Sequence, residues 1–349
     1  MSAVKVMIFM GPVMTIFMNF TTIAVLWFGG KMVLDLDFPM PIGDLSSFIT
    51  YVTQILSSLM MVTMMLMHSS RALASARRIK EVLDEKPDIT DDDAKYPALK
   101  VERGEVEFRN MSFRYYKDSP DAVLKNINVK IKAGETVGII GSTGCGKTTL
   151  VSMIPRLYDP DEGEVLIDGV PVSDYSLVNL RDGVGMVLQK NILFSGTIRD
   201  NLLWGDENAT EEDIIKASES AQAKGFIEAS EKGFDKELEQ GGVNVSGGQK
   251  QRLCIARALI KKPRILILDD STSAVDTATE AKIRTALKEE IPDSTKIIIA
   301  QRISSVMEAD KIIVMDDGVI TGIGTHDELL LSNEEYKEIY TSQMASKEV

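Results

Sequence analysis

The sequence predicts an α/β domain on a mainly parallel sheet, preceded by a hairpin of two apolar helices. Three observations carry that expectation. Two uncharged runs, Val6–Gly30 and Leu45–Met67, bracket a polar turn. Short β-rich runs alternate with helical ones from about Gly104 onward, the pattern of a parallel sheet with helices on its faces. The glycine-rich Gly141–Thr149 (GSTGCGKTT) lies between an apolar run and a helix-like segment.

Length and composition set the outer limits. The chain has 349 residues, of which 44% are hydrophobic, and the part before Arg71 is almost free of charge. The net charge of -13 argues against non-specific nucleic-acid binding, which needs a basic surface. Two cysteines, Cys145 and Cys254, make no disulfide framework and suit a reducing compartment. Cys145 lies inside the glycine-rich loop, where it reads either as a redox-sensitive thiol or as a small residue that fits.

Val6–Gly30 and Leu45–Met67 are each long enough to cross a bilayer as a helix. The first is too long for the apolar core of a signal peptide, and a second run follows it. Asp35, Asp37, Pro39, Pro41, Gly43 and Asp44 form the turn between them. Arg71, Arg77, Arg78 and Lys80 follow the second run and Lys5 precedes the first, which puts both ends of the hairpin on the cytoplasmic side. The second run is rich in methionine (Met60, Met61, Met64, Met65, Met67), a residue that serves packing, lipid contact or an adaptable substrate surface. Two helices cannot enclose a translocation path, so the hairpin either assembles with other spans or is an anchor. Leu73, Ala76, Ile79, Val82 and Leu83 recur at helical spacing and extend the second helix into the cytosol. Pro87, Asp91–Asp93 and Pro97 then mark a break. The expected domains are a membrane hairpin with its extension over 1–83, a linker over 84–103 and a nucleotide domain over 104–349.

Within that last domain, Thr136–Ile140 reads as a buried strand feeding Gly141–Thr148, a full match to G-x-x-x-x-G-K-[ST] in the strand-to-helix context the motif requires. Gly141, Ser142, Thr143, Gly144, Cys145 and Gly146 let backbone N–H groups curl around phosphates, and Thr149 continues the contact surface. Lys147 is expected at the β- and γ-phosphates, and the Thr148 hydroxyl on Mg²⁺. A second buried strand, Ile265–Leu268, ends at Asp269, placed either to hold Mg²⁺ through a water or to cap the next turn.

Further motifs bring a resemblance. Ser246–Ala258 reads SGGQKQRLCIARA behind Val245, Ser271–Asp276 reads STSAVD, and Phe194–Asn201 reads FSGTIRDN. In this order the chain resembles the ATP-binding cassette (ABC) exporters along essentially its whole length, from the two spans to the closing Gly324–Leu330 (GTHDELL). The resemblance implies an α/β P-loop domain with antiparallel β and helical subdomains, ATP and Mg²⁺ as cofactors, and a location in the cell membrane with the nucleotide domain in the cytoplasm. It implies that Tyr115 stacks on adenine, that Gln189 is the Q-loop residue near Mg²⁺ and the attacking water, and that Ser271–Asp276 is the D-loop. It also implies that Ser246, Gly247, Gly248 and Gln249 clasp an ATP held by the phosphate loop of a second cassette.

Two positions depart from that family. Asp270 stands where Glu is usual, and Gln301 stands where His is usual. Asp is a methylene shorter, and a misplacement of about 1 Å can cost about 10²-fold. Gln can hydrogen-bond to a γ-phosphate but carries neither the charge nor the proton of His. An intact phosphate loop beside two altered catalytic positions leads to the expectation of a degenerate-site subunit in a heterodimeric multidrug-type exporter, with Gln240-Gly241-Gly242 before the signature in keeping. The alternatives are an active homodimeric exporter and a truncated nucleotide-binding regulatory fragment without transport. Exporter subunits of this kind usually carry six spans and the resemblance here covers the last two. An internal start, a split gene or a truncation each fits that length, and the chain is expected not to transport alone. The cargo is not written in these residues.

Overall fold

The structure, a computed structural model, describes residues 2–36, 40–92, 94–117, 119–270 and 275–345. Of the positions named above, Asp37, Pro39, Asp93 and Ser271–Ala274 lie outside the described residues. The chain divides into two compact units, Met1–Pro87 and Asp88–Val349.

The first unit is a pair of helices, α1 (Ser2–Val33) and α2 (Ile42–Asp84). Within them, Gly11–Val33 and Ile42–Asp84 are long and apolar enough to cross a membrane. Large apolar side chains such as Phe17, Phe20, Trp27, Ile55 and Met61 stand exposed along both helices. Thr15, Thr21, Thr22, Thr50, Thr53 and Thr63 each turn the hydroxyl back onto the carbonyl four residues earlier. That bond satisfies a polar group without an outside partner, as an apolar solvent demands. Gly29 lets the helices meet, because a Cβ there would fall 2.2 Å from Leu45 Cδ1. The α2 helix runs through Arg71 without a break and stops at Asp84, just before Pro87.

The second unit opens with an extended stretch that hydrogen-bonds to the domain after it. Asp91 Oδ1 accepts the Leu177 N–H at 2.7 Å, Pro97 O accepts Asn179 Nδ2 at 2.7 Å, and Tyr96 N–H donates to Asp174 O at 2.8 Å. The Asp168 carboxylate gathers the N–H groups of Glu102, Arg103 and Glu105.

An antiparallel sheet follows, in the order β2 (Leu124–Ile131), β1 (Val106–Phe113), β4 (Glu162–Ile167), β5 (Val170–Pro171). Between β2 and β4 the chain enters the main sheet at β3 (Thr136–Gly141) and continues into α3 (Lys147–Ser152). Among the described residues the main sheet has six strands, completed by β6 (Val184–Val187), β9 (Ile265–Asp269), β10 (Thr295–Ile299), β11 (Lys311–Asp316) and β12 (Val319–Gly324). Its order is β12-β11-β3-β10-β9-β6, and only the edge strand β12 runs antiparallel to its neighbour.

Strand β9 shows why the central strands read as continuous apolar runs. Ile265 and Ile267 pack on one core and Leu266 and Leu268 on the other, so both faces of the sheet are covered. One core takes the antiparallel sheet and α4 (Leu177–Asp182). The other takes the helical layer. That layer holds β7 (Gly196–Thr197), α5 (Ile198–Leu203), α6 (Glu211–Ser220), α7 (Lys224–Glu228), β8 (Glu237–Leu238), α8 (Gly247–Ile260) and α9 (Thr277–Glu290). Helices α10 (His326–Ser332) and α11 (Glu334–Ala345) close the chain against the same core through Leu329 and the fully buried Tyr336.

Candidate functional site

The C-terminal ends of β3, β9, β10 and β11 point into one cavity of about 570 Å³, the place where open parallel sheets bind ligands. Its wall takes Gly141, Ser142, Thr143, Gly144, Lys147 and Thr148 from the loop after β3. Asp269 and Asp270 come from the end of β9, Gln301 from the loop after β10, and Gln189 from beyond β6.

The loop geometry depends on its glycines. Gly141 has φ +154°, and a Cβ there would lie 1.9 Å from the Met315 carbonyl oxygen on β11. Gly146, just before α3, has φ +99°, a conformation that side chains with a Cβ rarely adopt. Inside the loop, Lys147 Nζ donates to Gly141 O at 2.8 Å and to Ser142 O at 2.7 Å. Two main-chain oxygens thus hold the ammonium over the loop.

The Thr148 hydroxyl donates to Asp269 Oδ2 at 2.9 Å. This hydroxyl and carboxylate are hard oxygen donors set side by side, the chemistry that Mg²⁺ takes with phosphate oxygens and water. Among the described residues no group of three or more His, Cys, Asp or Glu forms a metal cage.

Asp269 and Asp270 are both almost fully buried. Burial pushes the Asp269 carboxyl above its ordinary range; the Thr148 hydroxyl opposes that rise and the neighbouring Asp270 charge adds to it. Burial likewise raises Asp270, against the hydrogen bonds of Gln189 and Gln301. Gln301 Nε2 lies 2.6 Å from Asp270 Oδ2 and Gln189 Nε2 lies 3.4 Å from the same oxygen. The Asp270 backbone sits at φ +46°, in the left-handed region that Asp tolerates better than most residues.

Other expected residues lie elsewhere on the unit. Tyr115 shares a 2.9 Å hydrogen bond with Thr149 Oγ1 and meets Phe113 and Tyr158 edge to face, with half its surface open. Cys145 is buried, with its sulfur 3.6 Å from Lys147 Nζ. Ser246 caps α8 in a reciprocal box: its hydroxyl accepts the Gln249 N–H, and Gln249 Oε1 accepts the Ser246 N–H. Ser246 and Gly247 face solvent, and none of Ser246, Gly247, Gly248 and Gln249 lines the cavity. Of the stretch Ser271–Asp276, the described Asp276 caps α9 by accepting the Thr279 N–H.

Sequence reasoning missed several wall residues. Asp316, at the end of β11, accepts the Ser142 hydroxyl at 2.9 Å. An acidic residue ending an apolar run, as at Asp269, was a signal for it. Glu335, Glu338 and Ile339 of α11 also line the cavity, and no local pattern marks them.

Comparison with known proteins agrees with this geometry. Residues 124–273 match the family model described as ABC transporter. The chain is 43% identical over 342 residues to "Uncharacterized ABC transporter ATP-binding protein YfiB" of Bacillus subtilis, covering 98% of this chain and 58% of that protein. It is 38% identical to the ATP-dependent lipid A-core flippase of Desulfotalea psychrophila, covering 98% of this chain and 59% of that protein. The chain therefore spans somewhat over half the length of these curated relatives. Among solved structures, a bacterial Atm1-family ABC exporter with ATP bound superposes with a TM-score of 0.85 at 32% identity, over 98% of this chain and 60% of that one.

Proposed function

The chain belongs to the ABC transporter family, and on that premise we propose that it is the ATP-binding subunit of a membrane exporter whose own nucleotide site binds ATP well and hydrolyses it poorly. Gly141–Thr149 grips the phosphates, Lys147 neutralises their charge, and Tyr115 is the platform for adenine. Thr148, Asp269 and Gln189 would hold Mg²⁺, which would supply charge neutralisation at the β- and γ-phosphates. Exposed apolar side chains on α1 and α2, with threonine hydroxyls satisfied inside the helices, support a bilayer location. The basic residues from Arg71 to Lys80 support a cytoplasmic nucleotide domain.

One observation carries the impaired-hydrolysis reading. The Asp270 carboxylate, which must orient a water, accepts an amide from Gln301 at 2.6 Å. That hydrogen bond takes up acceptor capacity and leaves the Gln301 donor directed at a carboxylate instead of a γ-phosphate. No imidazole stands there to carry charge or a proton, and loss of such help costs about 10²- to 10⁴-fold.

The signature residues Ser246–Gln249 then act on a different nucleotide. Their solvent-facing position at the start of α8 suits an ATP brought by the phosphate loop of a second cassette subunit, whose site they complete. Closure on ATP and release after hydrolysis shift the spans between two access states, which is a population shift driven by differential binding. Co-expression with a cassette protein carrying Glu and His at the positions equivalent to 270 and 301 tests the pairing. A stable complex in lipid nanodiscs, with ATPase activity that needs both chains, is the expected result. A self-sufficient homodimer with brisk turnover would contradict it.

A further inference from the structure

We infer that Gln343, near the end of α11, is a positioning residue for the loop that carries Gln301. This rests on the reading of Asp270 and Gln301 as the hydrolytic pair. The Gln343 carboxamide spans the loop backbone at two points: Nε2 donates to Gln301 O at 2.7 Å, and Oε1 accepts the Ile303 N–H at 2.8 Å. The two anchored groups flank Arg302, so a side chain here pairs with main chain much as a neighbouring strand would.

The rest of the loop is pinned on either side. Ala300 N–H donates to Ile139 O of β3 at 3.2 Å, and Arg284 of α9 donates to Ser304 O. Between those pins, Gln343 fixes the main chain at Gln301 itself. The direction of that main chain decides where the Gln301 carboxamide reaches, and at present it reaches Asp270 Oδ2.

Helix α11 is a firm base for such a brace. Tyr336 is fully buried and its hydroxyl meets His326 Nδ1 at 2.7 Å, while Ile339 and Tyr340 pack on the core beneath. The same helix lends Glu335, Glu338 and Ile339 to the cavity wall. Any shift of α11 is therefore felt by the cavity and by the Gln301 loop together. A displacement of about 1 Å at a reacting group costs about 10²-fold, so the brace acts on turnover and leaves phosphate binding by Lys147 alone.

The test uses the full chain with Q343A and the similar-length, apolar Q343M, in the wild-type background and in D270E/Q301H. In the nucleotide-free protein, amide hydrogen exchange at Ile303 should quicken about tenfold or more in both variants. With D270E/Q301H, kcat should fall about tenfold while the apparent KM and the ATP affinity stay within about twofold. Unchanged Ile303 exchange, or a loss of ATP affinity in place of kcat, would overturn the brace. The exchange readout needs no hydrolysis. If D270E/Q301H gains no turnover, the reading of the site fails, and Ile303 exchange still decides for or against the brace.

Discussion

The Gln301 carboxamide donates to Asp270 Oδ2 across 2.6 Å, so the two residues that depart from the usual exporter pair are bonded to each other. The substitutions are therefore coupled. Asp270 is short by a methylene, and Gln301 extends toward it. Residues joined in this way are expected to show non-additive effects when changed singly and together. The fold-gains of D270E alone and Q301H alone, multiplied together, should fall short of the gain of the double variant, as read from a double-mutant cycle on kcat.

Lys147 tests the grip through a binding readout that needs no hydrolysis. Its ammonium now rests on Gly141 O and Ser142 O and is free to trade them for charged oxygens. K147A should weaken ATP binding by about 10²-fold, or about 2.7 kcal/mol, in titration calorimetry.

Gly141 tests the loop backbone. A methyl group at this position would meet Met315 O at 1.9 Å, with no flexible side chain to move aside. G141A should destabilise the nucleotide domain by more than about 2 kcal/mol in denaturant melts and abolish ATP binding.

The buried carboxylates make a prediction about pH. Asp269 and Asp270 have folded pKa values raised above the ordinary carboxylate value. For a raised acid, the favourable contribution is complete below the unfolded pKa and is lost as pH rises through the folded pKa. At neutral pH the nucleotide-free protein therefore carries the cost of buried charge. D270N should raise the melting temperature at pH 7.5, and the gain should shrink as pH is lowered toward 4.

Ser246 separates the two proposed sites. S246A removes a helix cap, worth about 1 kcal/mol in thermal melts. ATP affinity at the chain's own phosphate loop should not change, because Ser246 does not line that cavity. ATPase activity of a complex with the partner subunit should fall about tenfold or more, by loss of a donor to the partner's nucleotide.

The phosphate loop, Asp269 and the flanking strands were legible in the sequence because local spacing dictates their backbone. An apolar run, three glycines at fixed intervals and a lysine allow few geometries. The same holds for α2, whose helical spacing past Arg71 pointed to the unbroken helix that runs to Asp84. The α11 wall was not legible. Glu335, Glu338, Ile339 and Gln343 reach the site only because Tyr336 buries itself against a sheet built far upstream, and no local pattern records that. The stretch before Val106 read as a connection from its prolines and acids, while the bonds of Asp91 and Pro97 to α4 arise in tertiary structure. The Asp270–Gln301 bond combines both cases: each residue stood out alone, and their contact arises only in tertiary structure.

Steady-state MgATP hydrolysis by the purified wild-type chain, without any second cassette protein and beside D270E/Q301H, addresses the central proposal most directly. Tight ATP binding with turnover far below about 1 s⁻¹ is expected in the wild type, and a rise of about 10²-fold or more in the double variant. A wild-type chain that turns over ATP at or above about 1 s⁻¹ by itself, with no gain in D270E/Q301H, would contradict it.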